Sequence, residues 1–260
     1  VLCFSNKGKV YWLKVYQIPQ ASRSAKGRPM VNILPLDTEE RITTVLPITD
    51  YGADHYVFMA TANGTVKKTP LEQFSRPRSS GLIALDLEED NHLVGAAITD
   101  GDSDILLCSS SGKAVRFKES AVRSMGRGAK GVRGIRLSGT YEVISLIVPQ
   151  AGGRLLTASE NGYGKCTEVS EFPTKGRGGQ GIIAMQTSDR NGDLVGAVQV
   201  FGSDEVMLIS NMGTLVRTAV DEISVLGRNT QGVKLISLKG EESLNSVERV
   251  FEEESEGVES

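Results

Sequence analysis

Long apolar runs, histidines and aromatic residues are all scarce in this chain, and each shortage removes a class of function. No eighteen consecutive apolar residues occur, which excludes a membrane-spanning helix. The residues from Val1 onward show neither the charged n-region nor the apolar h-region of a signal peptide. The chain is therefore read as soluble and cytoplasmic, with no membrane partner. Because it opens inside a strand without an initiator Met, it is also expected to be a fragment. Histidine occurs only as His55 and His92. With no nucleophile elbow and no H-x-x-x-H spacing, general-base and metal chemistry lack material, so no catalytic residue, metal, cofactor or activity of its own is expected. Aromatic residues make up 5% of the chain, and Phe4, Phe58 and Phe117 fall inside strands. Stacking of the bases of a single strand is therefore poorly served. Three cysteines, Cys3, Cys108 and Cys166, lie in apolar contexts at unrelated spacing. They give neither a disulfide framework nor a zinc pattern, and are expected to be reduced and buried.

The formal net charge of −3 argues against a nucleic-acid partner until the acids are located. Residues 252–260, EEESEGVES, hold five carboxylates and no base. Without them, residues 1–251 carry a net charge of +2. The chain is thus read as a mildly basic domain over 1–251 and an acidic tail over 252–260, the latter expected to be disordered.

What the chain has in quantity is repetition. A unit recurs five times at a spacing of about fifty residues, which marks stacked or radially arranged modules. Each unit carries two glycine marks. The first is a tight turn, at Gly8, Gly64, Gly112, Gly162 and Gly213, with Ser5, Thr61, Ser109, Ser159 or Ser210 three residues before it. Glycine supplies the positive φ of a short hairpin, and the hydroxyl can bond back to the turn. The second mark follows seventeen to nineteen residues later, at Gly27, Gly81, Gly131, Gly181 and Gly232.

Between these marks, short runs rich in Val, Ile, Leu and Thr read as strands. In the third unit they are Leu82–Leu87, His92–Ile98, Ile105–Ser109 and Ala114–Lys118. Four strands per unit is the content of one propeller blade. Helical content is limited to a turn or so, such as Glu119–Arg123 or Asp221–Val225. The five units could close as a ring in which the two termini share a blade, or form an open arc. The acidic clusters Glu39-Glu40, Glu88–Asp90 and Asp100–Asp104 occupy connecting turns and are expected on a solvated side.

The second glycine sits in a basic loop: RSAKGRP (Arg23–Pro29), RPRSSGL (Arg76–Leu82), RGAKGVR (Arg127–Arg133), RGGQGII (Arg177–Ile183) and RNTQGVK (Arg228–Lys234). Guanidinium forks bind phosphate bidentately, and small neighbours leave backbone N–H groups open to a second contact. The candidate DNA-binding residues in these loops are Arg23, Lys26, Arg28, Arg76, Arg78, Arg127, Lys130, Arg133, Lys175, Arg177, Arg228 and Lys234. The strand leaving each hairpin adds Lys67, Lys68, Arg116, Lys118, Lys165 and Arg217. A lone surface Arg says little, but exposed charges have no packing reason to recur in register. Five copies on one rim would make a curved positive track suited to duplex DNA. Two loops match G-x-G-x-x-G, at Gly126–Gly131 and Gly176–Gly181. The residues after them read as strands, which argues against a dinucleotide site.

The segments Val1–Asn32, Phe58–Thr69, Gly112–Gly126, Gly131–Leu137, Asn161–Lys175, Gly196–Val200 and Gly213–Ile236 resemble the C-terminal domain of the gyrase A protein, part of a bacterial type IIA topoisomerase, DNA gyrase. The resemblance covers nearly the whole chain. It implies an all-β fold, the β-pinwheel, a propeller-like disc whose four-stranded blades exchange strands with their neighbours. Five blades are recognisable here and six are expected in the complete domain. It also implies duplex DNA wrapped with fixed handedness on a basic edge, in support of negative supercoiling. The implied partners are double-stranded DNA, the remainder of the gyrase A protein and the gyrase B protein, in an A2B2 assembly. ATP and magnesium are used elsewhere in such an enzyme, and none of Tyr11, Tyr16, Tyr51, Tyr56, Tyr141 or Tyr163 matches its cleavage motif. The family's Gln-Arg-Arg-Gly-Gly-Lys-Gly box is absent, and the blade that bears it is expected before Val1. The C-terminal domain of topoisomerase IV and a protein-binding propeller remain as alternatives.

Overall fold

The computed structural model describes residues 1–21 and 25–250. Arg23 and the acidic tail lie outside the described residues. The chain is all-β, with single 3₁₀ turns such as Glu119–Ala121 and Val220–Glu222 close to where the sequence places its short helical pieces. In chain order the strands are β1 (Leu2–Ser5), β2 (Lys9–Trp12), β3 (Ile42–Leu46), β4 (Tyr56–Thr61), β5 (Thr65–Pro70), β6 (Leu82–Ile83) and β7 (Leu93–Thr99). There follow β8 (Asp104–Ser109), β9 (Lys113–Lys118), β10 (Val132–Arg133), β11 (Val143–Ile147), β12 (Arg154–Ser159) and β13 (Tyr163–Glu168). The last are β14 (Ile182–Ile183), β15 (Leu194–Val200), β16 (Glu205–Ser210), β17 (Leu215–Ala219), β18 (Val233–Lys234) and β19 (Leu244–Val250).

Five antiparallel hairpins, β1–β2, β4–β5, β8–β9, β12–β13 and β16–β17, turn at the first glycine mark, where every φ is positive. The hydroxyl three residues earlier engages the turn in all five. Ser5 and Ser210 Oγ accept from the amides of Lys9 and Thr214, and Thr61, Ser109 and Ser159 donate to the carbonyls of Thr65, Lys113 and Tyr163.

Each sheet is then completed from further along the chain. The sheet orders are β3-β1-β2-β6, β10-β5-β4-β7, β11-β8-β9-β14, β15-β12-β13-β18 and β17-β16-β19. The two-residue strand after the second glycine therefore crosses back to the preceding hairpin, with Val66 opposite Val132 and Gly164 opposite Val233. This is the strand exchange implied by the resemblance, and it corrects the plain reading of the repeat. The four runs assigned to the third unit lie in three sheets: β6 beside β2, β7 beside β4, and only β8 and β9 together. Leu82–Leu87 is a strand for two residues, because the amides of Ala84 and Leu85 then turn to bond the carbonyl of Gly8 at 2.9 and 3.1 Å. The outer neighbour of β1 is β3, and among the described residues no C-terminal strand pairs with the first blade.

Two compact units carry these sheets: Val1–Leu107 with Arg116–Val148 and Thr174–Gln180, and Cys108–Val115 with Pro149–Pro173 and the chain from Gly181. In the first, Leu2, Phe4, Val57, Met59, Phe74 and Leu93 form a buried core, with the Phe4 and Phe74 rings edge to face at 5.9 Å. In the second, Leu156, Val206, Leu208, Val220, Leu244 and Val247 do so. Each such side chain contributes roughly 1.5–3 kcal/mol on burial. Cys3, Cys108 and Cys166 are buried free thiols, and burial pushes Cys108 up to about 12.

The exchange makes the hairpin glycine necessary twice over. A Cβ on Gly112 would meet the Met185 carbonyl oxygen at 2.2 Å, whereas one on Gly213 would meet nothing within 4 Å. The last hairpin lacks the crossing strand, and β17 has no outer partner among the described residues. Both glycines have φ near +80°, at 79° and 85°. Gly213→Ala is therefore expected to cost about 1 kcal/mol of backbone strain. Gly112→Ala should cost at least about 3 kcal/mol, since the exchanged strand must also shift. Urea midpoints of the two variants measure the difference.

Candidate nucleic-acid interface

The crossing strand dictates where the basic loops sit. To reach β5, the chain before β10 folds over that hairpin's outgoing strand, and a Cβ on Gly131 would stand 2.5 Å from the Val66 carbonyl oxygen. Gly81, Gly181 and Gly232 lie as closely on Tyr11, Ala114 and Gly164. The second glycine is thus architectural as well as part of a charged loop. In the first unit, Arg76, Arg78, Lys130, Arg133 and Lys175 are exposed on these loops. Hydrogen bonds fix these loops to their neighbours there: Arg127 N–H donates to the side-chain Oε1 of Gln73, Gly178 N–H to the Gly134 carbonyl and Arg136 N–H to the Gly179 carbonyl. Lys26 and Arg28 are exposed around Gly27, which has no neighbour within 4 Å of a Cβ. In the second unit, Lys234 is exposed with its ammonium 5.8 Å from the Tyr163 ring centre.

Several bases assigned to DNA from the sequence are held by the protein instead. Lys67 and Lys165 are completely buried. Their ammonium groups donate to loop carbonyls, those of Ala84 and Arg127 for Lys67 and of Gly227 and Arg228 for Lys165. Lys68 is 6% exposed, 4.9 Å from the Tyr56 ring centre and 3.8 Å from Glu119. Glu119 is itself fully buried and accepts from Thr99 Oγ1 and the amides of Gly101 and Ser103. These three lysines cannot meet a phosphate without unfolding their surroundings. Two loop arginines are partly engaged: Arg177 donates to the carbonyls of Ala121 and Arg133, and Arg228 to that of Ile183. Arg127 is half-buried, and Arg217 is paired with Glu205. Arg136 is an exposed base on this surface that the motif missed; its signal is its place five residues past Gly131.

The acids are not segregated as expected. Glu40 is buried and accepts from Tyr11 Oη and the Asp37 amide, both at 2.8 Å. Glu88 stands 3.9 Å from Lys130. Asp104 holds Arg116 through Nε at 2.9 Å and Lys118 at 3.3 Å, which reduces what both bases offer a phosphate. Burial alone would raise the Asp104 carboxyl, but the hydrogen bonds and charges of Arg116 and Lys118 prevail and hold it below its ordinary value.

A carboxyl whose folded pKa is depressed contributes stability above its unfolded value and loses it as pH falls through the folded one. Asp104→Asn is accordingly expected to be less stable than the parent by about 2 kcal/mol at neutral pH. The gap should close as pH falls below about 4. Urea unfolding at a series of pH values reads both features, and a gap independent of pH would contradict the assignment.

A family model described as the DNA gyrase C-terminal domain, beta-propeller, matches residues 1–49, 55–100, 103–150, 153–200 and 204–250, one hairpin to each segment. The gyrase A protein of Klebsiella oxytoca is 55% identical over 252 residues, covering 97% of this chain and 29% of that protein. Its counterpart in Escherichia coli K12 is 53% identical with the same coverage. The chain thus spans less than a third of the length of these relatives. Among solved structures, a DNA gyrase A C-terminal domain superposes with TM-score 0.82 at 27% identity, over 96% of this chain and 82% of that one. The C-terminal domain of DNA topoisomerase IV gives 0.88 at 27% identity, over 96% and 78%. With all five hairpins matched in register, the chain belongs to the DNA gyrase C-terminal domain family.

Proposed function

We propose that this chain binds and bends duplex DNA without sequence preference, and that it serves as the wrapping module of a cytoplasmic, ATP-dependent DNA gyrase. In that assembly it would act with the remainder of the gyrase A protein and with the gyrase B protein, as A2B2. The observation that carries the reading is the recurrence of exposed Arg and Lys on or beside the loops that lead into β6, β10 and β14. Arg76 with Arg78, Lys130 with Arg133, and Lys175 occupy that place in successive copies of the first unit. Bases fixed by backbone geometry address phosphates rather than base edges, which gives positioning without sequence readout. Bending 20–30 base pairs costs on the order of 1–6 kcal/mol, so several contacts must act together. The 53–55% identity to gyrase A proteins favours gyrase over topoisomerase IV.

If about 6–10 phosphates are neutralised, affinity should fall roughly 10³–10⁵ fold between 50 and 200 mM salt. A fluorescence titration of labelled duplex reads this, and a salt-insensitive isotherm would sink the proposal. Charge reversal at Arg76, Arg78 and Lys130, which are exposed, is expected to abolish binding while leaving the unfolding midpoint unchanged. EDTA and ATP should make no difference.

Chiral wrapping has its own test. The protein is bound to relaxed nicked circles, the nicks are sealed, and the linking number is read after the protein is removed. A shift of one sign that grows with protein is expected; tight binding with no shift would leave bending without handedness.

A further inference from the structure

We propose that Lys67 and Lys165 are positioning residues for the DNA-binding surface, buried ammonium groups that fasten one end of a basic loop by its main-chain carbonyls and never touch phosphate. The inference rests on the DNA-binding reading above. Both lysines stand three residues past a hairpin glycine and are completely buried. Lys67 Nζ donates to the Ala84 carbonyl at 3.0 Å and to that of Arg127; Lys165 Nζ donates to the carbonyls of Gly227 and Arg228 at 2.5 and 2.7 Å.

The other three hairpins carry Tyr11, Val115 and Val216 at this position, so strand packing does not call for a base there. Burying an ammonium is unfavourable unless its donors are used, and here they are used on loop carbonyls that have no ladder partner. The far end of each loop is fastened separately, by the pairing of Val132 with Val66 and of Val233 with Gly164. Internal bonds brace the span between, from the Ala129 amide to the Gly126 carbonyl and from Thr230 Oγ1 to the Gly227 carbonyl. A loop held at both ends does not have to be ordered by its ligand, and that saving appears as affinity.

Burial lowers both lysines to about 8. Arg127 pushes Lys67 the same way while Asp86 opposes; at Lys165, Glu171 opposes and Arg228 adds to the lowering. Each group is therefore charged at neutral pH and neutral in mild alkali.

The test uses Lys67→Met and Lys165→Met, which keep the stem and remove the donors. Duplex affinity of the folded variants should drop about tenfold, with the slope of log affinity against log salt the same as in the parent, because no phosphate contact is lost. Arg76→Ala, in contrast, should flatten that slope by about 0.9. Amide exchange across 128–131 should quicken in Lys67→Met. The parent's affinity should fall between about pH 7 and 9.5, and that fall should vanish in the double variant. Unchanged affinity in a folded variant would overturn the proposal, and so would a slope flattened as in Arg76→Ala, which would mean direct phosphate contact. Should Lys67→Met not fold, Lys67→Gln and Lys165→Met carry the same comparison. A parent that binds without salt dependence would instead overturn the DNA-binding reading itself.

Discussion

Two consecutive amides bonding one hairpin-glycine carbonyl are the constraint on which the rest of this structure depends. Gly134 and Ile135 bond Gly64, and the same pair of bonds closes on Gly8, Gly112 and Gly162. Each joins a hairpin to a segment about seventy residues further on, so no blade is complete from its own sequence. That requirement sets the repeat's spacing. The chain must build a hairpin, travel outward, and return over the previous hairpin before the next can start. The return passage runs over a strand already paired, close enough that a Cβ at Gly131 or Gly181 would overlap backbone. It is therefore an exposed loop of small residues, and the geometry fixes where a base placed on it stands in each copy.

The bases sort into three roles once packing is considered. Some are free on the loops, such as Arg76, Arg78 and Lys175. Some neutralise acids along the hairpins, as Arg116 and Lys118 do with Asp104 and Arg217 with Glu205. Others, Lys67, Lys165, Arg177 and Arg228, are spent wholly or partly on backbone carbonyls. The last role is easily mistaken for the first, since all are cations beside the same loop. Yet a guanidinium that holds the Arg133 or Ile183 carbonyl also sets the path of the neighbouring loop, so part of the positive charge is used to shape the surface that displays the remainder.

The hairpins were legible because a turn needs positive φ and only a few residues supply it cheaply. Gly8, Gly64, Gly112, Gly162 and Gly213 therefore stood out, and the structure has positive φ at each. Strand exchange was not legible in the residues themselves. Leu82-Ile83 has the composition of a strand whichever hairpin it joins, and two residues are too few for periodicity to choose. Nor could Lys67 be told from Lys130 by type. Alternation in Thr65–Pro70 would place one of Lys67 and Lys68 outside, but this strand is covered on both faces. One covers Lys67 with the loop at Arg127, the other covers Lys68 with Tyr56 and Glu119. A signal did exist: the position of Lys67 holds Tyr11, Val115 and Val216 in other units, which marks an interior site.

That same alignment bears on how such a surface can diverge without losing its fold. The hairpin glycines beneath a crossing segment answer to backbone geometry, as do Gly178 and Gly179 in their bonds to Gly134 and Arg136, while exposed side chains such as Arg76 and Arg78 are not held in this way. A surface built this way can change its exposed charge while each crossing strand keeps its pairing with an earlier hairpin. The cost is that the anchors cannot be neutral to substitution even where they are wholly buried. Gly131 and Lys67 both act on the path of the chain, Gly131 where it passes the Val66 carbonyl and Lys67 where it holds that of Arg127, so the second glycine mark has an architectural reason of its own.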